Sequence, residues 1–321
     1  MAILVVGSVA LDTVYTPFGE ADEALGGAAA YFAIAATLYD RVNLVAVVGD
    51  DFPDAFTALL RSRNADLRGL QVVPGKTFRW GGRYALDMNS RETLFTELGV
   101  FADFQPIVPP DYARPDILFL ANIQPQLQLH VLEQTQAHAP ASAARATQLV
   151  ALDTMNLWIA QTRDALTEVL KRVDIVLMAE EEARQYADSP SLRVAARRIL
   201  GLGPRLLVIK QGSYGALLLG ADGAYFAAPS YPLEDVRDPT GAGDAFAGGF
   251  LGYLASQLQR GHPLTATTYR RALVHGNIMG SFTCEDFSVN RLRALTPLDV
   301  ATRYKEFVDF THFEGSWHGE S

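Results

Sequence analysis

The sequence is poor in cysteine, which limits the kinds of site that it can build. Among its 321 residues there is one cysteine, Cys284. A single thiol forms no disulfide within one chain and cannot make up a zinc site of several cysteines. The six histidines are scattered, and none has the spacing of a metal-ligand pair. The scarcity of cysteine favours a reducing, cytoplasmic compartment.

Long hydrophobic runs and clusters of basic residues are also absent from the sequence. The apolar stretch Ile3–Val6 is too short to cross a bilayer, and the basic segment of a signal peptide does not precede it. The net charge is −9, and Lys and Arg form no long run, which argues against a nucleic-acid surface. We therefore expect neither a membrane nor a nucleic acid as a partner, although a local anion site for a nucleotide is compatible with this charge.

Short apolar segments alternate with helical patterns along most of the chain. The composition, 49% hydrophobic and 20% charged, is that of a globular protein. Strands are predicted at 3–6, 42–48, 117–120, 149–152, 175–178 and 206–209, and helices at 28–38, 56–61, 163–172 and 192–200. Such alternation requires crossover connections. It predicts an α/β fold in one domain, residues 1–321, with a mostly parallel sheet covered by helices on both faces.

One region, residues 76–98, interrupts this alternation. Its side chains alternate between polar and apolar, with turn residues at Gly81-Gly82 and at Met88-Asn89-Ser90. The pattern predicts a small antiparallel sheet that stands off the main body, to which residues 13–24 could add a strand. By itself this pattern is compatible with a static meander at the sheet edge.

The strongest functional signal is the run Asp238-Pro239-Thr240-Gly241-Ala242-Gly243-Asp244, which leads into a predicted helix. Gly241 and Gly243 allow a ligand to approach the backbone, and the N–H groups of a first helical turn attract anions. A carboxylate at Asp244 would repel an anion. Its position makes sense if it accepts the proton of a hydroxyl that attacks a phosphate held by the amides. The alternative is a glycine-rich turn whose Asp favours the helix dipole.

A second group of candidate residues follows the first strand. Asp12 lies just after it, where an open parallel sheet binds ligands, and could accept hydrogen bonds from two vicinal hydroxyls. It could equally be a turn residue. Gly26 and Gly27 precede a helix of small residues that contains Tyr31, and they would let a polyol pack on the backbone.

Together these motifs resemble the PfkB, or ribokinase-like, carbohydrate kinases, and they occur in the order found in that family. The resemblance implies a three-layer α/β/α core with a β lid over the substrate, and it makes the lid a candidate surface for a homodimer. It implies ATP and Mg²⁺ as cofactors. It assigns Asp244 as the catalytic base, the turn Gly241, Ala242 and Gly243 as an anion hole, and Asp12, Gly26 and Gly27 to the acceptor. Tyr31, also expected at the acceptor, stands where the family usually has Asn.

The resemblance also points to a nucleotide side of the site. Glu182 matches the Glu of an Asn-x-x-Glu element that organises Mg²⁺ through water, although Ala179 replaces the Asn. Lys210, Gly212 and Gly215 lie in the expected nucleotide loop, and Asn277 is expected beside the adenine. Asp238 is a candidate ligand of a monovalent cation such as K⁺, together with carbonyls near 284–288. The alternatives are a solvated helix start at Glu182, a plain hairpin turn after Lys210, and an ordinary helix side chain at Asn277.

We therefore expect an ATP-dependent kinase that phosphorylates a hydroxymethyl group of a sugar or sugar-like molecule. A nucleoside kinase on the same scaffold is an alternative, because Phe78, Trp80 and Tyr31 could stack on a base. A non-catalytic binding or regulatory relative is a further alternative, which only Ala179 favours.

Overall fold

The computed structural model describes residues 3–137 and 149–312 of the chain. Its strands are β1 (Ile3–Val6), β2 (Ala10–Thr16), β3 (Gly19–Gly26), β4 (Val42–Gly49), β5 (Ala65–Val73), β6 (Phe78–Tyr84), β7 (Arg91–Glu97), β8 (Ile117–Leu120), β9 (Leu149–Asp153), β10 (Ile175–Ala179), β11 (Leu206–Lys210), β12 (Ala216–Gly220) and β13 (Tyr225–Ala228). Its helices are α1 (Ala28–Ala36), α2 (Asp54–Ser62), α3 (Pro125–Ala137), α4 (Asn156–Gln161), α5 (Arg163–Leu170), α6 (Glu180–Ala187), α7 (Leu192–Leu200), α8 (Ala242–Gln259), α9 (Ala266–Thr283), α10 (Asn290–Ala294) and α11 (Pro297–Thr311).

The main sheet runs in the order β13-β12-β11-β10-β9-β8-β1-β4-β5. Strands β11 to β5 are parallel to one another, and the hairpin strands β12 and β13 add an antiparallel edge. Successive side chains of a strand face opposite sides, so Ile3 and Val5 enter one apolar core while Leu4 and Val6 enter the other. The predicted α/β core with helices on both faces is confirmed. No helix in the described part of the chain is both long and apolar enough to span a bilayer.

The predicted small sheet exists, but its pairing differs from the prediction. It runs in the order β3-β2-β6-β7, and β2 pairs with β6 in parallel, so the sheet is mixed rather than antiparallel. Both strands follow strands of the parallel main sheet, β1 and β5, and therefore leave the same edge in the same direction. The strands of this small sheet, called the lid below after its expected role, span 10–26 and 78–97, compared with the predicted 13–24 and 76–98.

The pair Gly81-Gly82 lies inside β6 and does not form the turn that the sequence predicts. A Cβ added to Gly81 would collide with the ring of Phe95, and one added to Gly82 would collide with the ring of Trp80. The two glycines therefore make room for aromatic rings on the lid, and the register of β6 with β7 shifts between them.

Two helices bring the candidate motifs together. Helix α1 follows Gly27, and helix α8 begins at the Gly241–Asp244 turn. Gly248 of α8 lets the helices approach closely, because a Cβ there would collide with the backbone of α1 at Phe32. This contact sets the two glycine motifs side by side, although more than 200 residues separate them in the sequence.

Candidate active site

A cavity of about 1120 Å³ lies at the carboxyl edge of the main sheet, beneath the lid. Residues that end or follow parallel strands line one side of it, among them Ser8, Asn122, Asp153 and Lys210. Side chains of the lid strands β6 and β7 line the other side. An open parallel sheet binds its ligands at this edge, and the cavity gathers eight of the predicted site residues: Asp12, Gly27, Tyr31, Glu182, Lys210, Gly241, Gly243 and Asp244.

The turn before α8 exposes backbone donors to this cavity. Gly241 has a φ of 75°, a left-handed conformation that glycine adopts at little cost. The N–H of Ala242 donates to the carbonyl oxygen of Pro239 at 3.1 Å and is used within the turn. Within the described residues, the N–H groups of Gly241, Gly243 and Asp244 have no protein acceptor. Free N–H groups at a helix start form a site for an anion such as a phosphoryl group.

Asp244 faces the cavity next to a buried ion pair. Lys210 Nζ lies 2.6 Å from Asp153 Oδ2, and the lysine side chain passes beside Gly243. Burial raises the pKa of Asp244 to about 7, and the negative charge of Asp153 adds to this shift, whereas Lys210 and Arg91 oppose it. A carboxylate with this pKa can accept a proton at neutral pH.

Asp12 lines the end of the cavity where the sequence predicts the acceptor, called the acceptor end below. It is 5% exposed, and burial raises its pKa to about 7 although the Gly27 N–H donates to the carboxylate. A Cβ on Gly26 would collide with the Asp12 carboxylate, which explains why a glycine is required there. Gly27 has a φ of 90°, and Ser8 fastens the start of α1 because its Oγ accepts from the Ala28 N–H at 3.1 Å.

Tyr31 connects the acceptor end with the turn Asp238–Asp244, which is called the anion turn below. Its ring packs against Gly241, where an added Cβ would collide with three ring atoms. The residue is 1% exposed, and its hydroxyl has no hydrogen-bond partner in the part of the chain that the structure describes. The larger side chain thus occupies the position of the usual family Asn without making a polar contact of its own.

Glu182 also lines the cavity. Its Oε2 accepts from the backbone N–H of Ala179 at 2.8 Å, so the carboxylate caps its own helix. Burial raises the pKa of Glu182 to about 7, and Lys210 partly offsets this shift. In residues 3–137 and 149–312, no three His, Cys, Asp or Glu side chains are grouped so that they could hold a metal by themselves. Mg²⁺ on a nucleotide needs only one or two carboxylates besides phosphates and water, so Glu182 and Asp153 fit that ion.

The other predicted nucleotide residues lie outside the lining of this cavity. Gly212 begins a turn of 3₁₀ helix, and Gly215, with a φ of 95°, lets the backbone pass close to Ala228. Asn277 is buried, and its Nδ2 donates to the carbonyl oxygens of Pro229 at 3.1 Å and Ala228 at 3.4 Å. Asn277 thereby joins α9 to the sheet edge, and Gly215 permits close packing of the backbone at that edge. The roles of Gly212, Gly215 and Asn277 at a nucleotide stay predictions.

Asp238 is fully buried at the start of the anion turn. Its carboxylate accepts from the N–H of Thr240 at 2.9 Å and from that of Ser288 at 3.2 Å. Burial raises its pKa. The loop 284–288 does lie against Asp238, as expected for a cation site, but each carboxylate oxygen has a protein donor. The potassium assignment stays a prediction.

Sequence reasoning missed two charged residues of the cavity. Asp153 is the last residue of β9, one residue beyond the predicted strand 149–152, and its position at the carboxyl end of a parallel strand is a signal that could have identified it. Arg91 lies on β7 with its guanidinium carbon 5.0 Å from the centre of the Trp80 ring. Nothing local in the sequence marks Arg91, because its position depends on the register of the lid.

Known relatives include both nucleoside and sugar kinases. The cytidine kinase of Thermococcus kodakarensis is 34% identical over 270 residues, which are 82% of this chain and 90% of that protein. The 2-dehydro-3-deoxygluconokinase of Thermoproteus tenax is 28% identical over 270 residues, 78% of this chain and 79% of the relative. The fold matches that of a nucleoside kinase from Burkholderia thailandensis in complex with inosine, with a TM-score of 0.75 and 19% identity over 96% of this chain and 99% of the other.

A model of the pfkB family carbohydrate kinases matches residues 5–292. The matched part runs from β1 to α10 and so includes both glycine motifs, the lid and Asp244. The structural match confirms the ribokinase-like fold expected from the sequence. The chain therefore belongs to the pfkB family of carbohydrate kinases.

Proposed function

We propose that the protein is an ATP-dependent nucleoside kinase, which phosphorylates the hydroxymethyl group of a nucleoside such as cytidine. An aromatic wall beside Asp12 carries this proposal. Asp12 and Trp80 are register partners on the parallel strands β2 and β6, so their side chains leave the same face. Phe78 stacks on Phe101 with ring centres 5.3 Å apart, and all three aromatic residues line the cavity. Phe104, whose ring centre is 5.8 Å from that of Phe101, extends the wall.

The sequence alone favours a sugar as the acceptor, whereas the aromatic wall favours a nucleoside. A ribose held by Asp12 would place its base against the aromatic rings, where stacking and burial stabilise it. A free sugar in the same position would leave this apolar surface uncovered. The 34% identity with a cytidine kinase also supports a nucleoside as the acceptor.

The acceptor would be oriented by groups that converge on the floor of the cavity. Asp12 would accept hydrogen bonds from vicinal ribose hydroxyls, while Gly26 and Gly27 let the sugar lie on the backbone. In this orientation the hydroxymethyl group would point toward Asp244. Holding the attacking oxygen close to the phosphoryl group is a large part of catalysis in phosphoryl transfer.

Transfer would then be completed by the anion turn. Asp244 takes the proton of the attacking hydroxyl, whose oxygen forms a bond to the γ-phosphorus while the bond to the leaving ADP breaks. The free N–H groups of Gly241 and Gly243, with Lys210 beside them, stabilise the negative charge on the transferring group. Ribokinase-family kinases use ATP with Mg²⁺, which would offset phosphate charge, and Glu182 and Asp153 would hold it through water.

A kinase for a sugar acid is the second candidate. One observation favours it, namely the position of Arg91 in the cavity wall. An arginine can pair with the carboxylate of an acidic sugar through two parallel hydrogen bonds. A 28% identical relative is a 2-dehydro-3-deoxygluconokinase.

Acceptor preference tests the proposal. ADP release from Mg-ATP is measured with cytidine, uridine, adenosine, inosine, ribose and 2-dehydro-3-deoxygluconate, each with and without potassium. We expect one nucleoside to exceed ribose about 100-fold in kcat/KM, because the base adds apolar contacts that ribose lacks. A preference for the sugar acid over every nucleoside would overturn the proposal in favour of the second candidate. ATP binding without turnover of any acceptor would support the non-catalytic alternative.

A further inference from the structure

Asn122 carries a side-chain amide whose orientation is fixed by a neighbouring tryptophan. The indole Nε1 of Trp158 donates to Asn122 Oδ1 at 2.8 Å. An indole N–H is only a donor, so it pairs with the amide oxygen and not with the amide nitrogen. The amide nitrogen, Asn122 Nδ2, is thereby assigned to the other side, where it lies 3.2 Å from Met155 Sδ.

The amide nitrogen of Asn122 has hydrogen-bonding capacity that the protein leaves unused. It carries two hydrogens, and a thioether sulfur such as that of Met155 is a weak acceptor. Among the described residues, only this sulfur accepts from it. Asn122 is half-buried and lines the cavity, so a bound ligand can reach it. A ligand oxygen or nitrogen with a lone pair would be a better partner than the sulfur.

Asn122 lies on the side of the cavity that carries the aromatic wall. Leu120, the last residue of β8, contributes to the apolar core that contains Phe104, and Ala121 contributes to the opposite core. Because side chains alternate along an extended chain, Asn122 returns to the face of Leu120. Strand β8 pairs with β1, which leads to Asp12. The amide of Asn122 is therefore placed on the acceptor side, on the same face of the sheet as the wall.

We propose that Asn122 Nδ2 selects the base of the acceptor nucleoside by donating a hydrogen bond to a ring nitrogen or carbonyl oxygen on the edge of that base. The inference rests on the proposed function, which supplies the base. The aromatic wall holds the face of the base, and every base has a face that can stack. Asn122 contacts the edge, where bases differ in their donors and acceptors. Trp158 is a positioning residue that keeps the donor turned toward the ligand.

A cycle of one variant and three nucleosides tests this assignment. Asn122→Leu removes both polar atoms at nearly constant volume. The values of kcat/KM are measured for cytidine, for 3-deazacytidine, in which a CH group replaces N3, and for 2-thiocytidine, in which a poorly accepting sulfur replaces O2. We expect the variant to lose about 10-fold on cytidine, the value of one neutral hydrogen bond.

The analogue that lacks the contacted acceptor identifies the atom that Asn122 binds. On that analogue, variant and wild type should have the same kcat/KM, because the hydrogen bond is already missing. Equal losses on all three nucleosides would overturn the proposal, since Asn122 would then support the protein and not the base.

The variant Asn122→Asp keeps the bond to Trp158 and changes only the group that faces the ligand. One carboxylate oxygen still accepts from Trp158 Nε1, and the other is an acceptor where the wild type has a donor. The loss on cytidine should reach about 100-fold, because two acceptors then face each other. Asn156→Asp is the matched control, since Asn156 is an exposed amide that lines the same cavity. Its relative kcat/KM values for the three nucleosides should match the wild type. Equal effects of the two variants would assign the loss to charge alone and overturn the proposal.

The positioning role of Trp158 is tested by Trp158→Phe. This change removes the indole N–H, so either atom of the Asn122 amide can face the ligand, and the loss on cytidine should be smaller than in Asn122→Leu. The double variant should lose no more than Asn122→Leu alone, because Trp158 acts through Asn122. Additive losses would overturn the positioning role.

Failure of the proposed function can be told apart from failure of this inference. If the wild type prefers ribose or a sugar acid to every nucleoside, both fail, because no base is then bound. If the wild type prefers a nucleoside and Asn122→Leu loses equally on every analogue, only the role of Asn122 is overturned. If the preferred nucleoside carries a purine, the 1-deaza, 3-deaza and 7-deaza forms of that purine take the place of the cytidine analogues.

Discussion

The anion turn and the lid differ in how their chemistry is encoded. The turn is a contiguous run, Asp238–Asp244, and its donors are backbone N–H groups. The acceptor wall is built on two lid segments, 10–26 and 78–97, whose strands pair in a mixed sheet. The turn can thus be recognised from its residues alone. The wall depends on long-range pairing, which makes acceptor choice the harder property to infer.

The two regions also differ in how firmly they are held. The turn packs against the Tyr31 ring of α1 and leads into α8, which itself packs closely on α1. The lid exposes apolar side chains, among them Leu86 at 82% and Leu94 at 38%. One link joins the regions directly, a hydrogen bond of 3.3 Å between Thr240 Oγ1 and the Tyr84 hydroxyl. The outer lid strand β7 is largely exposed, which is typical of segments that open at low cost. We expect changes in the turn to affect turnover and changes in the lid to affect acceptor binding.

The largest effect is expected from Asp244→Asn. Removing the base should lower kcat about 10³-fold while both substrates still bind, because proton acceptance contributes on that scale. Steady-state kinetics measures kcat, and calorimetry measures the binding of the two substrates. Wild-type kcat should fall as the pH drops through about 7, where Asp244 becomes protonated. The pKa values of Asp12 and Glu182 are also about 7. The fall in kcat is therefore assigned to Asp244 only if the residual kcat of the variant does not fall in the same pH range. Near-wild-type kcat would contradict the mechanism.

The same variant should be more stable than the wild type. Folding raises the pKa of Asp244 from 3.8 to about 7, so the unfolded chain loses this proton first as the pH rises. The carboxyl therefore destabilises the fold increasingly between about pH 4 and pH 7, and the neutral amide does not. The Tm advantage of Asp244→Asn, measured by calorimetry, should be largest near pH 8 and should vanish toward pH 4. An advantage that does not change with pH would argue against a raised pKa.

The next largest effect is expected from Gly241→Ala. A Cβ at this position would collide with the Tyr31 ring, and the backbone has a φ of 75°. Displacing the turn should cost about 10²-fold in kcat, the effect of losing an oxyanion donor. Gly261→Ala is the matched control, because Gly261 has a φ of 72° and open space around it. It carries the same backbone strain and should keep full activity. Equal losses in both variants would assign the effect to strain alone.

The sequence predicts some parts of this molecule far better than others. The six strands predicted for the main sheet match within one residue, because a continuous apolar run bounded by turn residues allows few other interpretations, whereas β5, β12 and β13 were not predicted. The pairing of β2 with β6 and the place of Gly81-Gly82 inside a strand were not predictable, since each depends on a segment more than 50 residues away or on a ring from another strand. Arg91 was missed for the same reason. The expected place of Asn277 beside the adenine stays a prediction, because the structure shows only that its side chain ties α9 to the end of β13.

The smallest effect is expected on the lid, from Trp80→Ala. Loss of the ring beside Asp12 should raise the KM for the nucleoside about 10-fold and change kcat little, because aromatic contacts contribute about 1.5 kcal/mol at most beyond burial. Leu94→Ala is the control, since Leu94 lies on the same lid but outside the cavity lining. Its KM should match the wild type. A fall in kcat with unchanged KM in Trp80→Ala would contradict the separation of the two regions, because the lid would then act on transfer itself.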